Sequence, residues 1–280
     1  MQSFLKSKHC HRRDFIARVV YLFERQNHHS TIDTNDVEHH SKLADGWWDP
    51  QGPVAPLHSL NRIRVPFIRD GLIATSRNTK DEINSAKPLE NIKILEIGCG
   101  AGILTEQLAR IHANVVAIDP SNVLIQTAQN HLLKYPTNNE LTSRIEYRTE
   151  TIEEHNSKTE TKYDAVVVSE VLEHVDDKES FLKSCTAPLL PGGSIFITTF
   201  NKTTLAWLGG IICAEYILNM IPRGTHDWNK FIPPAETQRL LEQCGCSTVL
   251  CNGFLFEFWR KQWVWTKHNQ FSYALHAVKS

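Results

Sequence analysis

The chain has 280 residues, of which 41% are hydrophobic and 22% are charged, and its formal net charge is −1 at pH 7. This composition supplies enough apolar residues for a full hydrophobic core, which excludes a largely disordered protein. The nearly neutral charge and the lack of a long basic run give no indication of nucleic acid as a partner. The length accommodates one large α/β domain with extensions, or two small domains.

The N-terminal segment combines basic side chains with apolar residues at helical spacing. Residues 1–30 carry six lysines and arginines against two acids, and Phe15, Val19 and Leu22 recur at helical intervals. This pattern predicts a mitochondrial transit peptide, and the alternative is an ordinary surface helix. The polar, histidine-rich stretch that follows is predicted to be a linker over residues 31–45.

Aromatic residues and prolines appear next, beginning with the pair Trp47-Trp48. We expect this segment to form a cap or lid before a nucleotide-binding fold. Paired tryptophans pack in most proteins, and close to a cofactor they can also cover it.

A glycine-rich turn then joins a predicted strand to a predicted helix. The apolar run that ends at Ile97 continues directly into Gly98-Cys99-Gly100-Ala101-Gly102 and a helix-forming sequence. Glycines allow the turn to adopt positive φ and allow a ligand to approach the backbone closely. The helix N-terminus that follows offers unpaired N–H groups. A second strand ends in Asp119, 17 residues after Gly102, about where a βαβ unit places an acid for ribose hydroxyls.

The spacing of the glycines indicates which cofactor binds. The third glycine comes one residue earlier than in the dinucleotide fingerprint, and Glu96 precedes the turn. A carboxylate at this point would repel a pyrophosphate and would suit a cationic nucleoside such as S-adenosylmethionine. The pattern resembles the class I methyltransferase signature, so we expect these residues to bind S-adenosylmethionine: Glu96, Gly98, Gly100, Gly102 and Asp119.

Strands alternate with helices through the middle of the chain, which predicts a parallel sheet with right-handed crossovers. We therefore predict an α/β fold of the Rossmann-like class I methyltransferase type. Its sheet is expected to be mostly parallel and seven-stranded, with helices on both faces and an antiparallel C-terminal strand. The strands are predicted near residues 93–97, 115–118, 145–148, 163–168, 194–200, 247–251 and 273–278.

The stretch Ser169–Val175 follows the fourth predicted strand and carries two acids and a histidine. If a turn or helix starts there, Glu170, Glu173 and His174 share one face. They could hold a divalent metal, and oxygen-rich ligation favours Mg²⁺ or Mn²⁺ over Zn²⁺. A metal there could bind a catechol and lower its hydroxyl pKa. Alternatively His174 acts as a general base, or the acid caps a helix and the histidine packs at the cleft.

Residues 205–222 are apolar but carry Glu215 and Asn219, so we predict no membrane-spanning segment. The segment is interpreted either as a helix buried under the sheet or as a mobile flap that touches a lipid or a membrane surface.

Several segments together resemble the ubiquinone-biosynthesis O-methyltransferases, and the resemblance covers about residues 41–280. The glycine turn and the acid–histidine motif are generic, whereas W-W-D…P-L-H and G-T-H-D-x-x-K-F-I are far more specific. Two features depart from the family: Ala101 replaces a glycine, which we expect to be tolerated at negative φ, and residues 254–270 match less closely. The resembling segments are Trp47–Asp49 with Pro56–His58, Asn61–Arg64, Leu95–Gly102, Ser169–Val175, Ala214–Leu218 and Pro222–Ile232.

The resemblance implies an enzyme that methylates polyprenylated catechols, namely a polyprenyl dihydroxybenzoate and later a demethyl-ubiquinol. It also implies S-adenosylmethionine contacts at Arg64, Gly98, Asp119 and Ser169, and Mg²⁺ ligation by Glu170, Glu173 and His174. From the position and chemistry of their side chains, we expect His174 and Glu170 to be the catalytic residues.

The resemblance further implies peripheral attachment to the matrix face of the mitochondrial inner membrane, within a multi-protein biosynthetic complex. Residues 46–280 are then the methyltransferase domain, with residues 205–232 as an apolar substrate or membrane insertion. Two alternatives remain: a class I methyltransferase acting on another small molecule, and a non-catalytic scaffold that binds cofactor or lipid.

Overall fold

The computed structural model describes residues 31, 34–52, 54–75, 86–134, 139–206 and 228–280. The predicted transit peptide over residues 1–30 lies outside the described residues, and so does most of the apolar insertion. The elements described below all belong to one unit within residues 32–280.

The centre of the fold is a mixed sheet with the strand order β3-β2-β1-β4-β5-β8-β6-β7. The first five strands run parallel, and β8, β6 and β7 are antiparallel to their neighbours. The strands are β1 Lys93–Ile97, β2 Asn114–Asp119, β3 Ile145–Thr149, β4 Tyr163–Ser169, β5 Leu189–Phe200, β6 Cys246–Glu257, β7 Gln262–Thr266 and β8 Ser272–Lys279.

The predicted fold class is confirmed, with eight strands in the described sheet rather than seven. The additional strand is β7, which pairs with β6 as a hairpin. Because β6 and β5 are both antiparallel to β8, β6 runs in the same direction as β1–β5. β8 is thus the predicted antiparallel C-terminal strand, and β7 adds a second one. The hairpin closes through a turn in which Lys261 has a φ of +50°, and such a backbone conformation is not indicated by a lysine.

Helices lie on both faces of the sheet. Short 3₁₀ turns lie at Ala44–Gly46, Leu172–His174 and Trp228–Lys230. The helices in the described ranges are α1 Thr34–Ser41, α2 Ala55–Thr75, α3 Ile103–Arg110, α4 Asn122–Leu133, α5 Asn139–Thr142, α6 Ile152–Lys158, α7 Lys178–Thr186, α8 Thr204–Ala206 and α9 Pro234–Gln243.

The segment predicted to be a linker, residues 31–45, contains helix α1. Its sequence is mostly polar and shows no apolar stripe, so periodicity gives no signal for it. The helix is positioned by tertiary contacts instead: Ser41 Oγ lies 2.7 Å from Ser121 Oγ, and the His40 ring packs against His174.

Side chains of the central strands are buried on both faces, as expected for a parallel sheet covered by helices. Leu95 and Ile97 of β1 pack in one cluster of buried residues, which includes Phe181 of α7. Ile94 packs in a second cluster, which includes Leu60 and Phe67 of α2. The alternation fixes the strand register, and it brings the carboxyl ends of β1, β2 and β4 to one edge of the sheet.

Candidate functional site

A cavity of about 240 Å³ opens at the carboxyl ends of the parallel strands. This is the edge at which doubly wound sheets bind their ligands. Gly102 does not line the cavity, although it belongs to the turn. The lining includes these residues predicted from the sequence: Arg64, Glu96, Gly98, Gly100, Asp119, Ser169, Glu170, Glu173 and His174.

The glycine turn depends on backbone conformations that other residues rarely adopt. Gly98, Gly100 and Gly102 have φ values of +70°, +55° and +86°. At Gly100 there is also no space for a side chain, because a Cβ would lie 2.6 Å from the Trp47 ring. Ala101 is fully buried and is not among the positive-φ residues. The backbone condition under which we expect alanine to be tolerated here is therefore met, and the tolerance itself stays a prediction.

The tryptophan pair holds the same turn from outside. The Trp48 indole donates its Nε1 hydrogen bond to the Ala101 carbonyl at 3.0 Å. Its ring stacks on His131 with centroids 3.4 Å apart, and His131 Nδ1 lies 2.7 Å from the buried Glu106 carboxylate. Trp47 lines the cavity, so the pair both packs on the turn and contributes to the cavity wall.

Asp119 supports the turn at the end of β2. Its Oδ2 accepts a hydrogen bond from Gly100 N at 2.9 Å, and its Oδ1 accepts one from Ser121 N at 2.8 Å. Burial raises the pKa of Asp119 to about 6, and the two backbone hydrogen bonds oppose this rise. Each carboxylate oxygen keeps a further lone pair that can accept a ligand hydroxyl.

Glu96 is a buried carboxyl group directly beside the glycine turn. Burial raises its pKa to about 7 and the nearby Asp119 adds to the rise, whereas the Thr105 hydroxyl and the Arg64 charge oppose it. In the described part of the chain, its buried Oε2 accepts no hydrogen bond. A buried oxygen of this kind is costly unless a ligand supplies a donor. Glu96 is therefore suited to bind a cationic or N–H-bearing group.

Arg64 reaches the cavity from α2 and connects this helix to the end of β4. Its guanidinium donates to Asn61 Oδ1 at 2.6 Å, to Ser169 Oγ at 2.9 Å and to the Leu57 carbonyl at 3.4 Å. Burial lowers the pKa of Arg64 to about 10, and the neighbouring carboxylates of Glu96 and Glu170 oppose this. The arginine therefore keeps its positive charge between two acids in the cavity.

The acid–histidine segment does not form the predicted helix face. Glu170 follows β4 with a φ of +57°, which places it outside any right-handed helix, and only Leu172–His174 form a 3₁₀ turn. The reason is that the chain must leave the strand sharply at this point. The three side chains nevertheless all reach the cavity.

Glu173 is the most deeply buried acid of this segment, with 2% of its surface exposed. Its Oε2 accepts a hydrogen bond from Thr199 Oγ1 at 2.6 Å, whereas its buried Oε1 accepts none from any described residue. Burial raises the pKa of Glu173 well above its ordinary value, and the adjacent Glu170 carboxylate raises it further. Two close carboxylates with an unused buried oxygen have the donor chemistry of a hard divalent cation.

The third predicted ligand, His174, contacts another histidine at the cavity wall. The His174 ring packs edge-on against His40 of α1, with centroids 4.9 Å apart. Among the residues that the structure describes, no three histidine, cysteine, aspartate or glutamate side chains are grouped closely enough to hold a metal ion. All three predicted ligands line the cavity, but the described side chains do not form a three-ligand metal group.

A buried hydrogen-bonded chain beside the cavity was not predicted from the sequence. Glu150 lines the cavity, its Oε1 lies 2.7 Å from His155 Nδ1, and His155 Nε2 lies 3.0 Å from Tyr163 Oη. Lys158 donates to the other Glu150 oxygen at 2.9 Å. Burial would raise the pKa of Glu150, but its bonds with Lys158 and His155 hold it below the ordinary value. Only the position of Glu150 after β3 signalled its place near the cavity.

Comparison with known proteins identifies relatives over most of the chain. The methyltransferase domain family matches residues 72–250. The chain is 46% identical to the human mitochondrial ubiquinone biosynthesis O-methyltransferase over 251 residues, which cover 90% of this chain and 66% of the human protein. It is 44% identical to the rat protein, with 89% and 70% covered. The chain thus spans about two thirds of the length of these mammalian relatives.

A bacterial relative matches along nearly its full length. The ubiquinone biosynthesis O-methyltransferase of Azorhizobium caulinodans is 38% identical, and the match covers 85% of this chain and 90% of that protein.

Solved methyltransferase structures share the fold at low sequence identity. The N-methyltransferase NodS from Bradyrhizobium japonicum, in complex with S-adenosyl-L-homocysteine, has a TM-score of 0.55 at 17% identity and covers 88% of this chain and 98% of its own. The magnesium protoporphyrin IX methyltransferase from Synechocystis, with bound SAH, has a TM-score of 0.52 at 17% identity, covering 98% and 100%. The resemblance drawn from the sequence motifs is confirmed, and the chain belongs to the ubiquinone biosynthesis O-methyltransferase family of S-adenosylmethionine-dependent methyltransferases.

Proposed function

We propose that this chain transfers a methyl group from S-adenosylmethionine to a catechol hydroxyl of a polyprenylated intermediate in ubiquinone biosynthesis. The names of its relatives support this reaction. The observation that carries the proposal is one cavity lined by both the glycine turn and the acid–histidine segment. Cofactor and acceptor would therefore meet in a space from which the protein excludes water.

The cofactor would occupy the side of the cavity formed by β1 and β2. Glu96 and Arg64 offer opposite charges for the ammonium and carboxylate groups of a methionine moiety. Asp119 offers acceptor capacity for the ribose hydroxyls, and Gly98 and Gly100 allow the ligand to approach the backbone. Ser169 completes this set through its hydrogen bond with Arg64.

Catalysis would require alignment and removal of one proton. The sulfonium methyl is already activated, so the protein must hold the acceptor oxygen in line with it and keep water away. His174 lines the cavity, and histidine is suited to accept a catechol proton near neutral pH. Glu170 is proposed to assist by holding the acceptor.

A divalent cation is part of the proposal, and Glu170, Glu173 and His174 are the residues that would hold it. The unused Oε1 of Glu173 and its close carboxylate neighbour support two of these three ligands. When bound, Mg²⁺ would lower the pKa of a catechol hydroxyl and stabilise its oxyanion.

The proposed location is the mitochondrion, at the matrix face of the inner membrane within a biosynthetic complex. The names of the mammalian relatives include the word mitochondrial, and the basic segment over residues 1–30 has the composition of a transit peptide. In the described part of the chain, no helix has both the length and the apolar character needed to cross a bilayer.

The test is methyl transfer from labelled S-adenosylmethionine to a short-prenyl dihydroxybenzoate, with Mg²⁺ and then with EDTA. We expect turnover that EDTA, Glu170→Gln and His174→Gln each reduce strongly. Glu179→Gln replaces an exposed acid of α7 by the same chemical change, and it should leave turnover unchanged.

The other outcomes separate the alternatives. Turnover that survives EDTA would remove the cation from the proposal and leave His174 as the base. Cofactor binding without turnover on any prenylated catechol would favour another small-molecule acceptor or a scaffold.

A further inference from the structure

The tip of the β6–β7 hairpin exposes a large aromatic side chain beside basic residues. β6 ends at Glu257 and β7 begins at Gln262. Between them Trp259 has 78% of its surface exposed, more than any other large hydrophobic residue of the described ranges. Arg260 and Lys261 at the same tip are also exposed. Exposed tryptophan is costly in water, so a ring presented at a hairpin tip is a candidate contact surface.

One face of this hairpin is aromatic along its length. The register pairs Phe254 with Trp265 and Phe256 with Trp263, which places four rings on the same face because side chains alternate along strands. The Phe256 ring lies 5.2 Å from Trp263 and 5.5 Å from Phe258, measured between centroids. These contacts carry the aromatic surface to the residue that precedes Trp259.

The aromatic face also reaches the cavity, through Trp263. Trp263 lines the cavity, and its Nε1 donates a hydrogen bond to the Pro56 carbonyl at 2.9 Å, which fixes the ring against α2. Three residues separate Trp263 from Trp259 along the chain. An apolar surface thus connects the exposed tip with the wall of the candidate active site.

The charge around the tip indicates the kind of partner. Residues 257–267 carry three basic side chains and one acid, a local net charge of +2, whereas the whole chain has −1. The acid, Glu257, pairs with Arg260 at 3.3 Å, and such an exposed pair contributes little. Attraction to an anionic surface would therefore act on this hairpin and orient the molecule, since the chain as a whole offers no such attraction.

We propose that residues 258–261 dock on the headgroup layer of an anionic lipid bilayer, with Trp259 at the interface and Arg260 and Lys261 against lipid phosphates. Tryptophan favours the boundary between headgroups and acyl chains, and each basic side chain near an anionic surface adds attraction. Lipid docking stands on the hairpin alone. Its use, to lead a prenyl chain from the bilayer along the aromatic face to Trp263, rests on the proposed function.

The test is co-sedimentation of the full chain with phosphatidylcholine vesicles that contain or lack phosphatidylglycerol. We expect binding to the anionic vesicles only. Neutralising both charges in Arg260→Gln/Lys261→Gln should weaken that binding roughly thirtyfold, because each basic side chain near an anionic surface contributes about 1 kcal/mol. Trp259→Ala should weaken it roughly tenfold. Val249→Ala is the matched control, because Val249 is an exposed apolar residue elsewhere on β6, and it should bind like the wild type.

A second measurement locates the contact. Lipids brominated on the acyl chain should quench part of the tryptophan fluorescence, and Trp259→Phe should remove that quenched part. The proposal would be overturned if Trp259→Ala bound vesicles as the wild type does, or if quenching persisted in Trp259→Phe. Lipid contact would then belong to another segment, and the hairpin tip would be a surface for a protein partner. Failure of the wild type to bind vesicles would also overturn the proposal. None of these readouts requires turnover, so they are independent of the proposed reaction.

Discussion

Replacing Gly100 by alanine should damage the glycine turn by two separable effects. The backbone has a φ of +55° at this position, and a left-handed conformation costs an L-residue roughly 1–2 kcal/mol. The new Cβ would also lie 2.6 Å from the buried Trp47 ring, and overpacking of this kind costs about 1–3 kcal/mol. We therefore expect Gly100→Ala to lower the free energy of unfolding by roughly 2–5 kcal/mol.

Gly245→Ala provides the control that separates the two effects. Gly245 has a φ of +76°, and a Cβ there would meet no atom within 4 Å. Its substitution should cost only the conformational part, so the two variants should differ by about 1–3 kcal/mol. Urea unfolding measures the difference, and titration calorimetry should show that only Gly100→Ala loses affinity for S-adenosylmethionine, by more than about tenfold.

A second substitution identifies the clash as the cause. In a Trp47→Leu background the ring is absent, so Gly100→Ala should cost no more there than Gly245→Ala does in the wild type. Equal losses for the two glycine variants in the wild-type background would refute the reasoning, because the Trp47 contact would then contribute nothing.

Three further predictions concern charged and titratable groups. Glu96 has a pKa of about 7, so cofactor affinity should rise with pH through that value and binding should release a proton. Calorimetry in buffers of different ionisation enthalpy should detect this release in the wild type and not in Glu96→Gln. An unchanged release in the variant would assign the proton to another group. Arg64→Lys should lower cofactor affinity about tenfold, because lysine cannot reproduce the guanidinium fork; wild-type affinity in a titration would contradict this role. Burial lowers the pKa of His276 from 6.5 to about 4, so between pH 4 and pH 6.5 the unfolded chain binds more protons than the folded chain. The free energy of unfolding should therefore fall by up to about 3 kcal/mol as the pH drops from above 6.5 to 4. His276→Gln should flatten this part of the urea-unfolding profile, and a profile identical to the wild type would assign the pH dependence elsewhere.

The parts of the fold that depend on local signals could be predicted from the sequence. The strand before the glycine turn was predicted at residues 93–97, and the structure has β1 over the same residues. Helix α4 begins directly after Ser121, whose side chain accepts a hydrogen bond from Leu124 N, and serine is a residue type that caps helices. Glycines, caps and apolar runs act within a few residues, so the sequence displays them directly.

The parts set by distant contacts could not be predicted. Helix α1 lacks an apolar stripe, and it is held at the cavity by residues far along the chain. The Glu150–His155–Tyr163 chain joins a strand end, a helix and the start of another strand, and no sequence period connects these positions. The stacking of Trp48 on His131 joins the tryptophan pair before α2 to helix α4. Such pairs exist only after the sheet has assembled.

The left-handed backbone at Glu170 affects which substitutions would be selected if the protein evolved toward higher thermal stability. A non-glycine residue at a φ of +57° carries roughly 1 kcal/mol of conformational cost that glycine would relieve. A library of variants sorted by thermal stability alone would therefore enrich Glu170→Gly, and with it lose a carboxylate from the cavity. Selection for a more robust protein and selection for the proposed chemistry pull in opposite directions at this residue. If glutamate were retained here in a lineage selected for thermal stability, its carboxylate would be required for function despite its conformational cost.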